Sequence, residues 1–114
     1  VDFIRQNYHN DICIDELAKH AFLSVSALER RFKKYLSKTP KQFINEVRLE
    51  NARRLLIETQ LPIMDIAFQC GFAEHSYFSK QFKSLFGVLP SQLRKQILDA
   101  KHQNGPMNQP LLNI

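Results

Sequence analysis

Ile63-Met-Asp-Ile-Ala-Phe-Gln-Cys-Gly-Phe72, followed by Ser76-Tyr-Phe-Ser-Lys-Gln-Phe-Lys83 and Phe86-Gly-Val-Leu-Pro-Ser-Gln-Leu-Arg94, is the stretch that decides the fold. Pro62 suits the start of a helix, Ile63, Ile66 and Ala67 recur at helical spacing, and Gly71 can take the left-handed conformation of a tight turn. Beyond the turn, Phe78, Phe82, Leu85 and Phe86 line the inner face of a second helix. Aromatic stripes at this spacing form core far more often than cofactor boxes, and these are read as core. A short helix, a tight turn and a longer helix make a helix-turn-helix unit.

The same pattern occurs earlier in the chain. Ile14, Leu17, Ala18, Leu23, Leu28, Phe32, Lys33, Leu36, Pro40 and Gln42 recur as Ile63, Ile66, Ala67, Phe72, Phe78, Phe82, Lys83, Phe86, Pro90 and Gln92. The offset is 49 up to Leu23/Phe72 and 50 from Leu28/Phe78, so the second turn holds one extra residue. In the first unit Asp15–His20 carries Leu17 and Ala18, Ala21 follows, Ser24 offers an N-cap, and Leu28, Phe32 and Leu36 repeat every fourth residue.

Between the units, Pro40 to about Glu58 has no further Gly or Pro and reads as one continuous helix of about 28 Å. Phe43, Ile44 and Val47 lie on one side of it, whereas Ala52, Leu55 and Leu56 lie farther round, as expected if each end packs on a different unit. Residues 1–9, with Phe3, Ile4 and Tyr8, are expected to form a covering helix, and Pro90 to about Leu98 a closing one. The expectation is an all-α fold of about seven helices in a domain over residues 1–98. Unit one takes about 1–39, the linker helix about 40–58, and unit two about 62–98. Residues 99–114, with Gly105, Pro106 and Pro110, are expected to be a flexible tail.

The totals agree with helices: 114 residues, three Gly, no Trp and nine Phe suit one domain with an aliphatic and phenylalanine core. No apolar run approaches the roughly 20 residues that span a bilayer, and no signal-peptide pattern opens the chain, which makes a cytoplasmic protein the expectation. Helical patterning starts almost at Val1, so an upstream part is expected to precede it. Cys13 and Cys70 belong to no CxxC or Cys/His cluster and are expected to be small buried hydrophobes. His9, His20, His75 and His102 show no i, i+4 pairing, so no metal site is indicated.

The net charge of +5 is uneven. Residues 21–60 hold nine basic and four acidic side chains, and Arg30, Arg31, Lys33, Lys34, Lys38 and Lys41 fall within a stretch without an acid. A focused basic surface suits a polyanion, with an ordinary solvated helix face as the alternative from charge alone.

Both units, and above all the second with its stretches Ile63–Phe72, Ser76–Lys83 and Phe86–Arg94, make the chain similar to the AraC/XylS family of bacterial transcription regulators over about residues 1–97. The resemblance implies seven helices, a DNA-reading helix in each unit, double-stranded DNA as partner, and a separate ligand-binding or dimerisation domain elsewhere. Activation is expected ahead of repression, with RNA polymerase as a further partner. Carried over by position, the family's base-facing sites fall on Ser26, Ala27, Glu29 and Arg30, then on His75, Ser76, Tyr77 and Lys80. Phe22 stands where many members have Gly, which predicts a reshaped first turn. Leu93 replaces an aromatic, and Lys80 stands where Arg is commoner and lacks its planar fork.

Arg30 lies opposite Leu28 and Phe32, where its guanidinium can bridge guanine O6 and N7 or meet a phosphate. Glu29 can accept from cytosine N4 or pair with Lys33 at i+4, the local pair being favoured. Lys33, Lys34, Lys38, Thr39, Lys41, Arg48, Ser79 and Lys83 are assigned to phosphates, where charge matters and geometry is forgiving. A protein-interaction module would explain the helices and the repeat but not the polar outer faces. No nucleophile–base pair, phosphate loop or convergent acid points to an enzyme.

Overall fold

The structure is a computed structural model that describes residues 2–9 and 12–103. Those residues form seven helices: α1 (Asp2–Asn7), α2 (Ile14–His20), α3 (Val25–Leu36), α4 (Pro40–Glu58), α5 (Ile63–Gln69), α6 (His75–Phe86) and α7 (Pro90–Gln103). Among the described residues there is no strand. The molecule is elongated, 58 × 31 × 22 Å.

Two separate cores account for that shape. The first gathers Ile4, Leu17, Ala18, Leu28, Phe32, Phe43, Ile44 and Val47 from α1 to α4. The second gathers Leu49, Ala52, Leu56, Ile66, Ala67, Cys70, Phe72, Phe78 and Phe82 from α4 to α6. α4 belongs to both, because its apolar residues change face along its length. Val47 closes core one and Leu49 opens core two, one residue either side of Arg48.

The first helix of each unit ends in the same backbone hydrogen bonds. After α2, Leu23 N–H donates to Ala18 O at 2.9 Å and Phe22 N–H to Lys19 O at 3.0 Å. After α5, Phe72 N–H donates to Ala67 O at 2.9 Å and Gly71 N–H to Phe68 O at 3.0 Å. Both are Schellman endings, which need a left-handed residue after the helix. Gly71 supplies it with φ +96°, and Phe22 supplies it with φ +58°. The first turn is therefore not reshaped by Phe22, contrary to expectation. The side chain accommodates by pointing into solvent, 95% exposed.

The next junction repeats as well. Ser37 (φ +59°) ends α3 as Gly87 (φ +82°) ends α6. Thr39 then caps α4 in a reciprocal box with Gln42: the Gln42 N–H donates to Thr39 Oγ1 at 3.1 Å and the Thr39 N–H to Gln42 Oε1 at 2.8 Å. At α7 only half of this survives, the Leu89 N–H donating to Gln92 Oε1 at 2.9 Å, since leucine has no hydroxyl. The Pro40/Pro90 and Gln42/Gln92 matches of the repeat are thus two helix starts.

Four sequence expectations change. The covering helix stops at Asn7, where the side-chain amide donates back to Phe3 O at 2.8 Å. Cys13 is exposed because it precedes the first turn of α2, whereas Cys70 is buried in core two. Leu85 is 43% exposed rather than inward, since Phe78, Phe82 and Phe86 already fill the inner stripe of α6. α7 continues through Asp99 to Gln103, so the segment expected to loosen at residue 99 is helical for five more residues. Residues 104–114 lie outside the described residues. Arg94 fastens α7, donating from Nη1 to Leu61 O and from Nη2 to Thr59 O at 3.2 Å.

Candidate nucleic-acid interface

The outer faces of α3 and α6 are set by what the inner faces bury. Leu28 and Phe32 turn α3 onto core one, leaving Ser26, Glu29, Arg30, Lys33 and Lys34 exposed and Ala27 half-buried. Phe78 and Phe82 do the same for α6, leaving His75, Ser76, Tyr77, Lys80 and Lys83 exposed and Ser79 half-buried. All eight positions assigned to base reading are thus on solvent-accessible surface of the second helix of a unit. Equivalent positions carry related chemistry: Ser26 with Ser76, Arg30 with Lys80, Lys33 with Lys83.

The two helices start differently. Ser24 Oγ accepts from the Ala27 N–H at 3.1 Å and caps α3, whereas Glu74 before α6 makes no such side-chain bond. The extra residue of the second turn, Ala73 or Glu74 against the single Ser24, separates the two cases. Charge also differs. A shallow groove beside α3 is lined by Leu23, Ala27, Arg30, Arg31, Lys34 and Tyr35, with Lys34 Nζ 5.3 Å from the centre of the Tyr35 ring. α6 has only Lys80 and Lys83.

Not every assigned phosphate ligand is equally available. Lys33, Lys34, Lys41 and Lys83 are exposed cations, and Lys41 lines one depression with Tyr77 at the seam between linker and second unit. Lys38, by contrast, is half-buried and its Nζ lies 2.6 Å from Glu46 Oε1. Thr39 uses its hydroxyl as an acceptor in the cap of α4. Arg48 is half-buried, and its Nε donates to Tyr8 O at 2.6 Å. Among the described residues no ion pair joins Glu29 to Lys33, so the i, i+4 pairing favoured from sequence is not formed and Glu29 faces outward alone on its helix.

Two exposed groups escaped the sequence reading. Arg31, one cation of the acid-free basic stretch, lines the groove beside Arg30 and Lys34. Tyr35 is 70% exposed beside the same cations, and its i+1 position to Lys34 was the available signal. No group of three or more His, Cys, Asp or Glu side chains converges among the described residues. Among the same residues no helix is long and apolar enough to cross a membrane.

Comparison with known proteins matches residues 17–96 to a helix-turn-helix domain family. The chain belongs to the AraC/XylS family, as a DNA-binding domain. The HTH-type transcriptional regulator ArgR of Pseudomonas aeruginosa is 39% identical over 90 residues, which are 79% of this chain and 27% of ArgR. The HTH-type transcriptional activator RhaS of Klebsiella pneumoniae is 34% identical over 93 residues, 82% of this chain and 34% of RhaS. Among solved structures, a transcriptional regulator with an AraC-type DNA-binding domain from Chromobacterium violaceum superposes with a TM-score of 0.80 at 32% identity. That match covers 84% of this chain and 86% of the other. The chain therefore spans about a third or less of the length of these curated relatives, which are regulators rather than enzymes.

Proposed function

We propose that this AraC/XylS domain reads two successive major grooves on one face of duplex DNA, with α3 in one and α6 in the other, as the output part of a larger transcription regulator. One observation carries the reading: two units whose first helices end in the same Schellman hydrogen bonds present polar outer helices from a single 19-residue helix, α4. Successive major grooves are about 34 Å apart, and a helix of that length is about 28 Å long, enough with the width of a unit to hold two reading helices one turn apart.

In this reading Ser26, Ala27, Glu29 and Arg30 face bases in one half-site and His75, Ser76, Tyr77 and Lys80 in the other. Arg30 has the planar fork for guanine O6 and N7, Glu29 can accept from cytosine N4, and the Ala27 methyl suits thymine. Lys33, Lys34, Lys41, Thr39, Ser79 and Lys83 take phosphates, with Arg31 added. The full protein acts in the cytoplasm with an effector or dimerisation domain outside this chain, and activates through RNA polymerase more than it represses. The regulatory part of this reading is supported by the relatives, a transcriptional regulator and a transcriptional activator.

Selection from random duplexes followed by footprinting tests the reading. Two protected patches about one helical turn apart are expected, and a single patch overturns it. Arg30→Ala should then weaken the selected site by about 1–3 kcal/mol while non-specific affinity changes little. Equal losses on selected and random DNA would move Arg30 to the backbone.

A further inference from the structure

Arg48 sits where the two cores meet. Val47 before it is buried in core one and Leu49 after it in core two. Its Nε donates at 2.6 Å to the backbone carbonyl of Tyr8, just beyond α1. The Tyr8 side chain packs against both cores. Across from this pair lies the turn of unit two. A Cβ added to Gly71 would come within 2.9 Å of Arg48 Nε, 2.9 Å of Tyr8 O and 3.3 Å of Arg48 Cζ. Three segments thus converge on one guanidinium: the end of unit one's cover, the linker helix, and the turn that launches α6.

The repeat shows why unit two needs glycine here. Phe22 occupies the equivalent place in unit one at φ +58°, a left-handed conformation that a bulky side chain holds at a cost. Gly71 differs in both backbone and clearance: its φ is +96°, and it faces Arg48 whereas Phe22 points into solvent. Side chains of the linker reach α6 itself at two weaker contacts, Asn45 Nδ2 donating to Gln81 Oε1 at 3.3 Å and the Arg53 guanidinium lying 5.4 Å from the centre of the Phe86 ring. A charge-assisted bond to a carbonyl at short range is the stronger and more directional restraint.

We propose that Arg48 is a positioning residue that fixes the setting of α6 relative to α3, and thereby the half-site spacing the domain accepts, instead of binding a phosphate. This rests on the two-groove reading above. The linker sets the distance between units, and the Arg48–Tyr8–Gly71 junction sets their relative rotation.

The test uses the whole 114-residue chain with four DNAs: the selected two-half-site duplex, the same duplex with one base pair added or removed between half-sites, and an isolated half-site. Each base pair changes phase by roughly 35°, so the wild-type chain should lose about tenfold or more on either altered spacing. Arg48→Met keeps the apolar stem and removes the donors. It should bind the three spacings within about threefold of one another, while its affinity for the isolated half-site and the salt dependence there stay at wild-type values. Arg48→Lys, which keeps a donor, should recover part of the discrimination. Gly71→Ala places a methyl 2.9 Å from both Arg48 Nε and Tyr8 O, so it disrupts the junction without deleting the charge and should relax spacing as Arg48→Met does, which keeps the test decisive if the methionine variant does not fold.

Strict spacing in Arg48→Met or Gly71→Ala overturns the proposal. So does a uniform loss on all duplexes with a salt slope lower by about one unit, the mark of a phosphate ligand. If the wild-type chain itself binds every spacing alike, the two-groove reading is what fails, and the role of Arg48 falls with it.

Discussion

Replacing Phe22 by glycine should stabilise the domain. The residue holds φ +58° in the turn after α2, and a left-handed conformation costs a non-glycine residue about 1–2 kcal/mol. Its ring is 95% exposed, so removing it forfeits almost no burial. Against the relief stands the extra freedom that glycine gives the unfolded chain, about 0.4–1 kcal/mol. The difference leaves a net gain of about 0.5–1 kcal/mol, or roughly 3–6 °C in melting temperature for a domain of this size. Thermal melting followed by circular dichroism, alone and in urea, measures it. Phe22→Ala is the control, because it removes the ring but keeps the strain and should melt near wild type. A melting temperature for Phe22→Gly at or below wild type, or a drop of several degrees in Phe22→Ala, would refute the reasoning by showing that the ring holds the turn in place.

Further outcomes concern the phosphate contacts, the cysteines and core two. Lys41→Ala should weaken binding to all duplexes and lower the salt slope by about one unit, whereas Glu46→Gln should strengthen binding by releasing Lys38 from its 2.6 Å pair. No change with Glu46→Gln would place Lys38 away from DNA. One cysteine, Cys13, should react with a thiol reagent in the native state and two in denaturant. Burial pushes the Cys70 thiol up to about 11, with the Arg54 charge opposing. The unfolded chain therefore releases that proton first, and stability should fall as pH rises from about 9 to 11, less so in Cys70→Ala. Phe82→Ala, emptying a side chain with no exposed surface, should cost about 3–5 kcal/mol in urea titration, and a loss under 1.5 kcal/mol would mean that core two closes over the gap.

Much of the fold is written in periodic positions. The repeat offset of 49 up to Phe72 and 50 from Phe78 places the extra residue between them, and Pro40 marks the start of α4, which is capped by the box between Thr39 and Gln42. The change of face along α4 is also visible, but sequence places it only between Val47 and Ala52. Leu49 belongs to core two, which puts the step at Arg48, and nothing local to Arg48 distinguishes a buried junction from a phosphate ligand. That distinction depends on Tyr8, forty residues away, and on Gly71. Lys38 and Glu46, eight apart across the start of a helix, match no helical pairing rule and were equally hidden. Reading-helix faces were legible because burial of Leu28, Phe32, Phe78 and Phe82 determines what remains outside.

Because α4 contributes buried residues to both cores, neither unit can open without exposing one half of a helix the other still needs. Helix formation is cooperative, so fraying at Phe43 or at Leu56 is resisted by hydrogen bonds that continue into the opposite core. The amides near the middle of α4 should accordingly exchange with solvent only in whole-domain opening, and those of α1 in far smaller fluctuations. A half-site that engages only α3 should then slow exchange in core two as well, since every ligand of the native state draws on the same global equilibrium.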